Sequence, residues 1–245
     1  LRRFAFGFFI VACGLITAHP ALAQQFTLDL GEGGSTTSRV VQLVALITIL
    51  SVAPAILVMV TSFTRIVVVL SFLRQAMGTQ TSPPNMVIVS LAMFLTGFVM
   101  MPTFEASYEQ GLQPLLANKI DEMEGLERAI KPIHAFMTHQ VRDQDLQLFL
   151  NLSHTVTPEK IEDTPLKALI PAFMISELRR AFEIGFLIFL PFLIIDMVVA
   201  SVLMSMGMMM LPPVTIALPF KLIFFVMVDG WYLICGSLVQ SFSAG

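Results

Sequence analysis

The sequence is poor in cysteine and in charge. Cys13 and Cys235 are the only cysteines among 245 residues, so neither a disulfide framework nor a CxxC metal knuckle can be built. Charged residues make up 13% of the chain, against about a quarter in an ordinary water-soluble domain. That shortage argues against a free cytosolic enzyme and against a disordered chain. Fourteen Lys and Arg against 17 Asp and Glu leave a net charge of −3, with no basic run longer than two, so the electrostatic footprint of a nucleic-acid binder is missing. Catalytic signatures are missing too. There is no HExxH zinc site, no GxSxG elbow, no GxxxxGK[ST] phosphate loop and no GxGxxG turn. His134 and His139 are five apart, poorly placed for one helical face, and His154 is distant. No enzymatic centre, metal site or cofactor is expected. What the chain does have is apolar residues: 56% hydrophobic and a mean hydropathy of +0.82. The class this implies is an all-α, membrane-type protein.

The N-terminus follows a secretory pattern. Arg2 and Arg3 form a positive start, the stretch from Phe4 to Ala18 is apolar, and Ala21-Leu22-Ala23 has the small-x-small form of a cleavage site before Gln24. Residues 1–23 are therefore expected to be a cleavable signal peptide, with Ala21 and Ala23 as the cleavage determinants. Two alternatives stay open: an uncleaved anchor, and a lipoprotein signal in which Ile10-Val11-Ala12-Cys13 is the lipobox. Residues 24–39, rich in Gly, Ser and Thr, read as a flexible polar leader.

Four hydrophobic segments follow, at about 40–64, 85–104, 184–205 and 219–242. The first has no charge from Val40 to Thr64; at 1.5 Å per residue it exceeds the roughly 30 Å hydrocarbon thickness of a bilayer. Residues 40–104 form a first hydrophobic hairpin, turned at 75–84 by Gly78 and Pro83-Pro84, and residues 169–245 form a second hydrophobic region. Between them, Glu105 to Lys167 carries 17 of the chain's 31 charges, 11 acidic and 6 basic, and is expected to be a water-exposed helical domain over 105–168. Ile120, Met123, Leu126, Ile130, Ile133 and Met137 are spaced as one stripe of an amphipathic helix that Pro132 bends. Thr157-Pro158 and Thr164-Pro165 look like helix starts. Phe136 and Phe149 are large apolar groups in this polar stretch; they pack either inside the domain or against a neighbouring subunit.

A cleaved signal would send the first segment inward and place Arg65 and Arg74 on the cytoplasmic side, in accord with the positive-inside rule. The acidic domain would then be periplasmic. Arg179 and Arg180 would fall on the outer side, against the rule. Pro54, Pro191, Pro212, Pro213 and Pro219 interrupt apolar segments, and Asp196 and Asp229 lie inside them. Charges and broken helices persist at such depth only when buried in protein or lining a wet cavity. Much of the apolar surface should therefore face other polypeptides. Arg65, Glu177, Arg179, Arg180, Glu183, Asp196, Lys221 and Asp229 are the candidate assembly and charge-pairing residues. Glu177 and Glu183 are expected to pair with Arg180 or Arg179, or with a neighbouring subunit. An alternative of a different class is a small-molecule or ion transporter using Asp196 and Asp229 as intramembrane carboxylates.

Met204, Met206, Met208, Met209 and Met210 give five methionines in seven residues. They are either ordinary apolar filling or an adaptable surface, since methionine is unbranched and deformable. Gly207 before the last three and Pro212-Pro213 after them favour a loop at 204–213.

Three stretches are more specific: Phe63-Thr64-Arg65-Ile66 through Gln80-Thr81-Ser82-Pro83-Pro84-Asn85; Pro171 through Phe186, with Ser176-Glu177-Leu178-Arg179-Arg180 at its centre; and Met206 through Pro213, followed by Pro219-Phe220-Lys221-Leu222 and Asp229-Gly230-Trp231. Together they resemble the FliP family of flagellar export-gate proteins and their virulence type III secretion counterparts. The resemblance implies a non-enzymatic, pore-forming part of a gate that conducts unfolded export substrates across the bacterial inner membrane, at the flagellar basal body. It implies five copies of the chain joined to a related export-gate subunit and to copies of a small two-helix subunit, alongside other membrane export-apparatus proteins. It also implies a helical assembly in which the methionine loop acts as a gasket.

Overall fold

The computed structural model of the chain describes residues 36–79, 81–153, 163–208 and 211–243. The proposed signal peptide and its Ala21 and Ala23, the polar leader up to residue 35, His154 and Thr157-Pro158 lie outside the described residues, as do Met209 and Met210. The chain divides into two units, Leu1–Leu50 and Ser51–Gly245, with the boundary inside the first helix. All regular secondary structure among the described residues is helical: α1 (Thr36–Met59), α2 (Phe63–Ala76), α3 (Asn85–Ser107), a π-helical turn at Tyr108–Leu112, α4 (Gln113–Leu116), α5 (Glu122–Gln140), α6 (Asp143–Leu152), α7 (Leu166–Ser205), α8 (Pro213–Met227) and α9 (Gly230–Ser243).

The second unit is organised on α7. This 40-residue helix, about 60 Å long at 1.5 Å per residue, packs against α2, α5, α6 and α8. Its partner α2 is the most deeply covered helix. Ile66, Val69, Leu70, Leu73 and Ala76 repeat at three- and four-residue intervals and are all buried. They form one core with Ile88 and Ala92 of α3, Ala181 and Phe192 of α7, Phe225 of α8, and Leu238 and Phe242 of α9. A second core joins the polar region to the start of α7, through Met137, Leu146, Leu150, Ala168, Leu169, Ala172 and Phe173. Phe136 touches both, lying 6.0 Å from the Phe173 ring and 6.2 Å from the Phe242 ring, and Phe149 packs against the second core.

Among the described residues two helical runs are long and apolar enough to cross a membrane, Asn85–Leu116 and Leu166–Ser205. The count reaches four if each bent pair, α1 with α2 and α8 with α9, is one span. The α8–α9 bend is 63°. Its elbow is Asp229, at φ 50°, a left-handed conformation that aspartate tolerates better than bulky residues.

Several sequence expectations are adjusted. Asn85–Leu116 is one helical run, so the change of composition at 104/105 does not end the helix; neither does the change at 168/169, which falls inside α7. Pro54, Pro132, Pro191 and Pro219 all sit within helices. The break in the first segment comes at Val60–Ser62 instead, six residues after Pro54. On α5, Met123 and Leu126 are exposed while Ile133 and Met137 are covered, so only the C-terminal half of the amphipathic stripe is core.

Candidate functional site

Three charged side chains of the second unit are buried beside its apolar cores, while many large apolar side chains lie on its surface. Arg65 is 1% exposed, Glu177 0% and Lys221 3%, whereas Phe94, Phe98, Phe186 and Met227 lie on the surface. Burying an ionised group is costly unless it is paired and its remaining hydrogen-bonding capacity is met. Two junctions meet that requirement to different degrees.

The first junction is built on Arg65, in the first turn of α2. Its guanidinium forms a two-pronged pair with Glu177 of α7: Nε donates to Oε2 at 2.8 Å and Nη2 donates to Oε1. Nη2 also donates to Gln140 Oε1 at 3.0 Å, and Nη1 to Ser241 Oγ at 3.1 Å and the Ser241 carbonyl at 3.4 Å. The Phe242 ring covers the guanidinium at 3.7 Å from its centroid, a cation–π contact. Arg180 joins from the edge, donating to Gln140 Oε1 at 2.7 Å, and Gln140 Nε2 donates to the Phe242 carbonyl at 3.3 Å. Glu177 thus pairs with neither Arg179 nor Arg180. Its partner comes from 112 residues away, because Arg65 is the arginine that reaches its buried position. Arg179 and Glu183 do pair, at 3.0 Å, one turn apart on the exposed face of α7.

The second junction ties α8 to α7 and α2. Lys221 Nζ lies 2.6 Å from Asp196 Oδ2 and donates to the Ala76 carbonyl at 3.2 Å. Ala76 is the last residue of α2, so the ammonium caps the negative end of that helix while neutralising Asp196. Asp196 Oδ1 is buried without a hydrogen-bond partner among the described residues. Asp229 belongs to neither junction; it is exposed at the α8–α9 elbow.

Both sides of this second junction lead to the methionine turn. α7 ends at Ser205, and the chain reverses through a Schellman motif: Met208 N–H donates to the Leu203 carbonyl at 3.0 Å and Gly207 N–H to the Met204 carbonyl at 3.1 Å. Gly207 takes φ +76°, which explains glycine at that position. Pro212 and Pro213 then open α8, with Pro213 at the first helical position. Met204 is in the last turn of α7, so the turn proper begins at Met206. Met204, Met206 and Met208 are all exposed.

Sequence reasoning missed Gln140, Ser241 and Phe242. A signal existed for Gln140, since it continues the Ile133, Phe136, Met137 spacing as a polar residue on a covered face. Nothing local marked Ser241 or Phe242. Among the described residues no group of three or more His, Cys, Asp or Glu is arranged to hold a metal ion. His134 Nε2 lies 2.7 Å from the Thr164 carbonyl, and His139 is exposed.

Known proteins supply the context for this geometry. The model of the FliP family matches residues 46–238. The flagellar biosynthetic protein FliP of Caulobacter vibrioides is 58% identical over 235 residues, covering 96% of this chain and 88% of the relative. That of Bacillus subtilis is 58% identical over 205 residues, 84% of this chain and 93% of the relative. That of Agrobacterium fabrum is 48% identical over 244 residues, 96% of this chain and 99% of the relative.

Proposed function

The chain belongs to the FliP family, and from that premise we propose that it is a non-enzymatic, pore-forming subunit of a flagellar protein-export gate in the bacterial inner membrane. Several copies, five by family resemblance, join a related subunit and a small two-helix subunit around a path for unfolded export substrates. The polar region at 105–168 lies on the periplasmic side, and the methionine turn forms the constriction.

The observation that carries this reading is that buried, paired charges coexist with large exposed apolar faces. Arg65, Glu177 and Lys221 are spent inside the chain, while α3, α7, α8 and α9 present rows of large apolar side chains outward. A bilayer covers a belt about 30 Å tall. The 32-residue and 40-residue helical runs measure about 48 and 60 Å at 1.5 Å per residue, longer than that belt, so part of each lies outside it. Methionine suits the constriction because a flexible thioether chain can close around many different passing sequences. The ion-transporter alternative would use Asp196 as a free carboxylate, but Lys221 already neutralises it.

Purification from membranes together with the co-encoded membrane proteins tests the proposal. The expected product is one complex, several times 27.1 kDa, that also contains other small membrane proteins. A stable 27.1 kDa monomer in mild detergent would overturn it.

A further inference from the structure

The donors of Arg65 are shared out unevenly along the chain. Glu177 takes Nε and one Nη2 proton, and Gln140 takes the other Nη2 proton. Among the described residues Nη1 is met by Ser241 alone, through both its hydroxyl and its carbonyl. The open face of the guanidinium is closed by the Phe242 ring, which also stacks on Phe136, and the carbonyl of Phe242 receives the amide of Gln140. Without these two residues, Nη1 loses both of these acceptors, one guanidinium face is bare and Gln140 has a spare donor, so the cluster opens to solvent. Ser241 and Phe242 sit in the last described turn of α9, beyond residue 238 where the family match stops.

We propose that Ser241 and Phe242 form a latch at the end of α9: the buried Arg65–Glu177–Gln140 cluster closes only when this last turn of the helix docks on it. The latch stands whether or not the chain is part of an export gate, because every group in it belongs to one polypeptide.

The test reads the guanidinium directly. The complex purified from membranes in mild detergent is treated with phenylglyoxal, and arginine modification on this chain is located by mass spectrometry. Exposed Arg179 serves as the internal standard, and acetylation of buried Lys221 reports on the separate Asp196 junction. Arg65 should resist modification in the full chain. In a chain ending at Gln240 its modification relative to Arg179 should rise roughly tenfold or more, the factor set by losing one hydrogen bond to a charged group; in Phe242→Leu, which uncovers the guanidinium face but keeps the Ser241 acceptors, it should rise by a smaller but measurable factor, and Lys221 stays protected in both. Phe242→Tyr, which keeps the ring, should behave as the full chain. Protection of Arg65 in the chain ending at Gln240 overturns the latch. So does equal protection with leucine at 242, or simultaneous loss of Lys221 protection, which would make the end of α9 a general packing element.

Discussion

At the scale of single residues, the decisive contrast is between Glu177 and Asp196. Glu177 is fully buried and carries the only carboxylate paired with Arg65 among the described residues, so Glu177→Ala strands a charge where water cannot reach it. A cost of roughly 3–5 kcal/mol is expected. Glu177→Gln keeps one acceptor for the guanidinium and should cost less. The measurement is the yield of intact complex on native gels, with the order wild type, Glu177→Gln, Glu177→Ala; an unchanged yield for the alanine variant would contradict the burial argument. Asp196 is 30% exposed, so solvent screens part of the charge that Lys221→Ala leaves behind. That variant should weaken assembly less than Glu177→Ala, and the reverse order would mean that the α2–α7–α8 junction dominates. The charges were legible as functional candidates from sequence because they interrupt apolar runs. Their partners were not. Helical spacing allows Glu177 to reach Arg180 one turn on, and only tertiary packing reveals that Arg180 turns to Gln140 while an arginine 112 residues away takes the carboxylate.

At the scale of elements, close helix packing depends on glycine at two contacts that respond differently to substitution. A Cβ on Gly185 of α7 would lie 2.5 Å from the Phe72 ring of α2, and a Cβ on Gly111 of the π-helical turn would lie 2.5 Å from the backbone nitrogen of Ala129 on α5. Both alanine variants should lose about 1–3 kcal/mol by overpacking. Gly185→Ala meets a side chain, so Phe72→Leu should restore much of the loss. Gly111→Ala meets backbone, which no side-chain change relieves. Thermal midpoints of the two variants, with and without compensation, check this; failure of Phe72→Leu to rescue Gly185→Ala would show that the helices cannot tolerate the shift for another reason. Element type was readable from the long uncharged runs, but element ends were not. Pro54, Pro191 and Pro219 look like breaks and are carried inside helices, whereas the first break falls at Val60–Ser62 and the last at Asp229. Proline weakens or kinks a helix without always ending it, and long apolar helices carry it, so sequence alone overweights it as a break. The clearest end signals were the Gly207 turn and the Pro212-Pro213 start, where local chemistry dictates the backbone without help from packing.

At the scale of the whole molecule, the methionine turn has meaning only in company. A single Met206–Met208 turn on one chain encloses nothing, however exposed its side chains are. Repeated around an assembly, the same turns would converge on one opening, and the thioether chains would set its width. Alanine removes three heavy atoms from each methionine, so a chain with Met208→Ala, Met209→Ala and Met210→Ala should leave a wider and stiffer constriction. The expected result is greater ion leak through membranes carrying the assembled complex, with complex yield unchanged because Met208 is exposed and takes no part in either buried charge junction. The Asp196–Lys221 bridge adds a directional prediction. It fastens α7 and α8 about nine residues back from the turn on α7, roughly 13 Å at helical rise, so weakening it should loosen the base of the turn without altering the seal itself. Lys221→Ala should therefore reduce the number of complexes, whereas the triple alanine variant should raise the leak per complex. Conductance normalised to complex abundance separates the two, and equal normalised conductance for the triple variant and wild type would refute the role of these methionines as the seal.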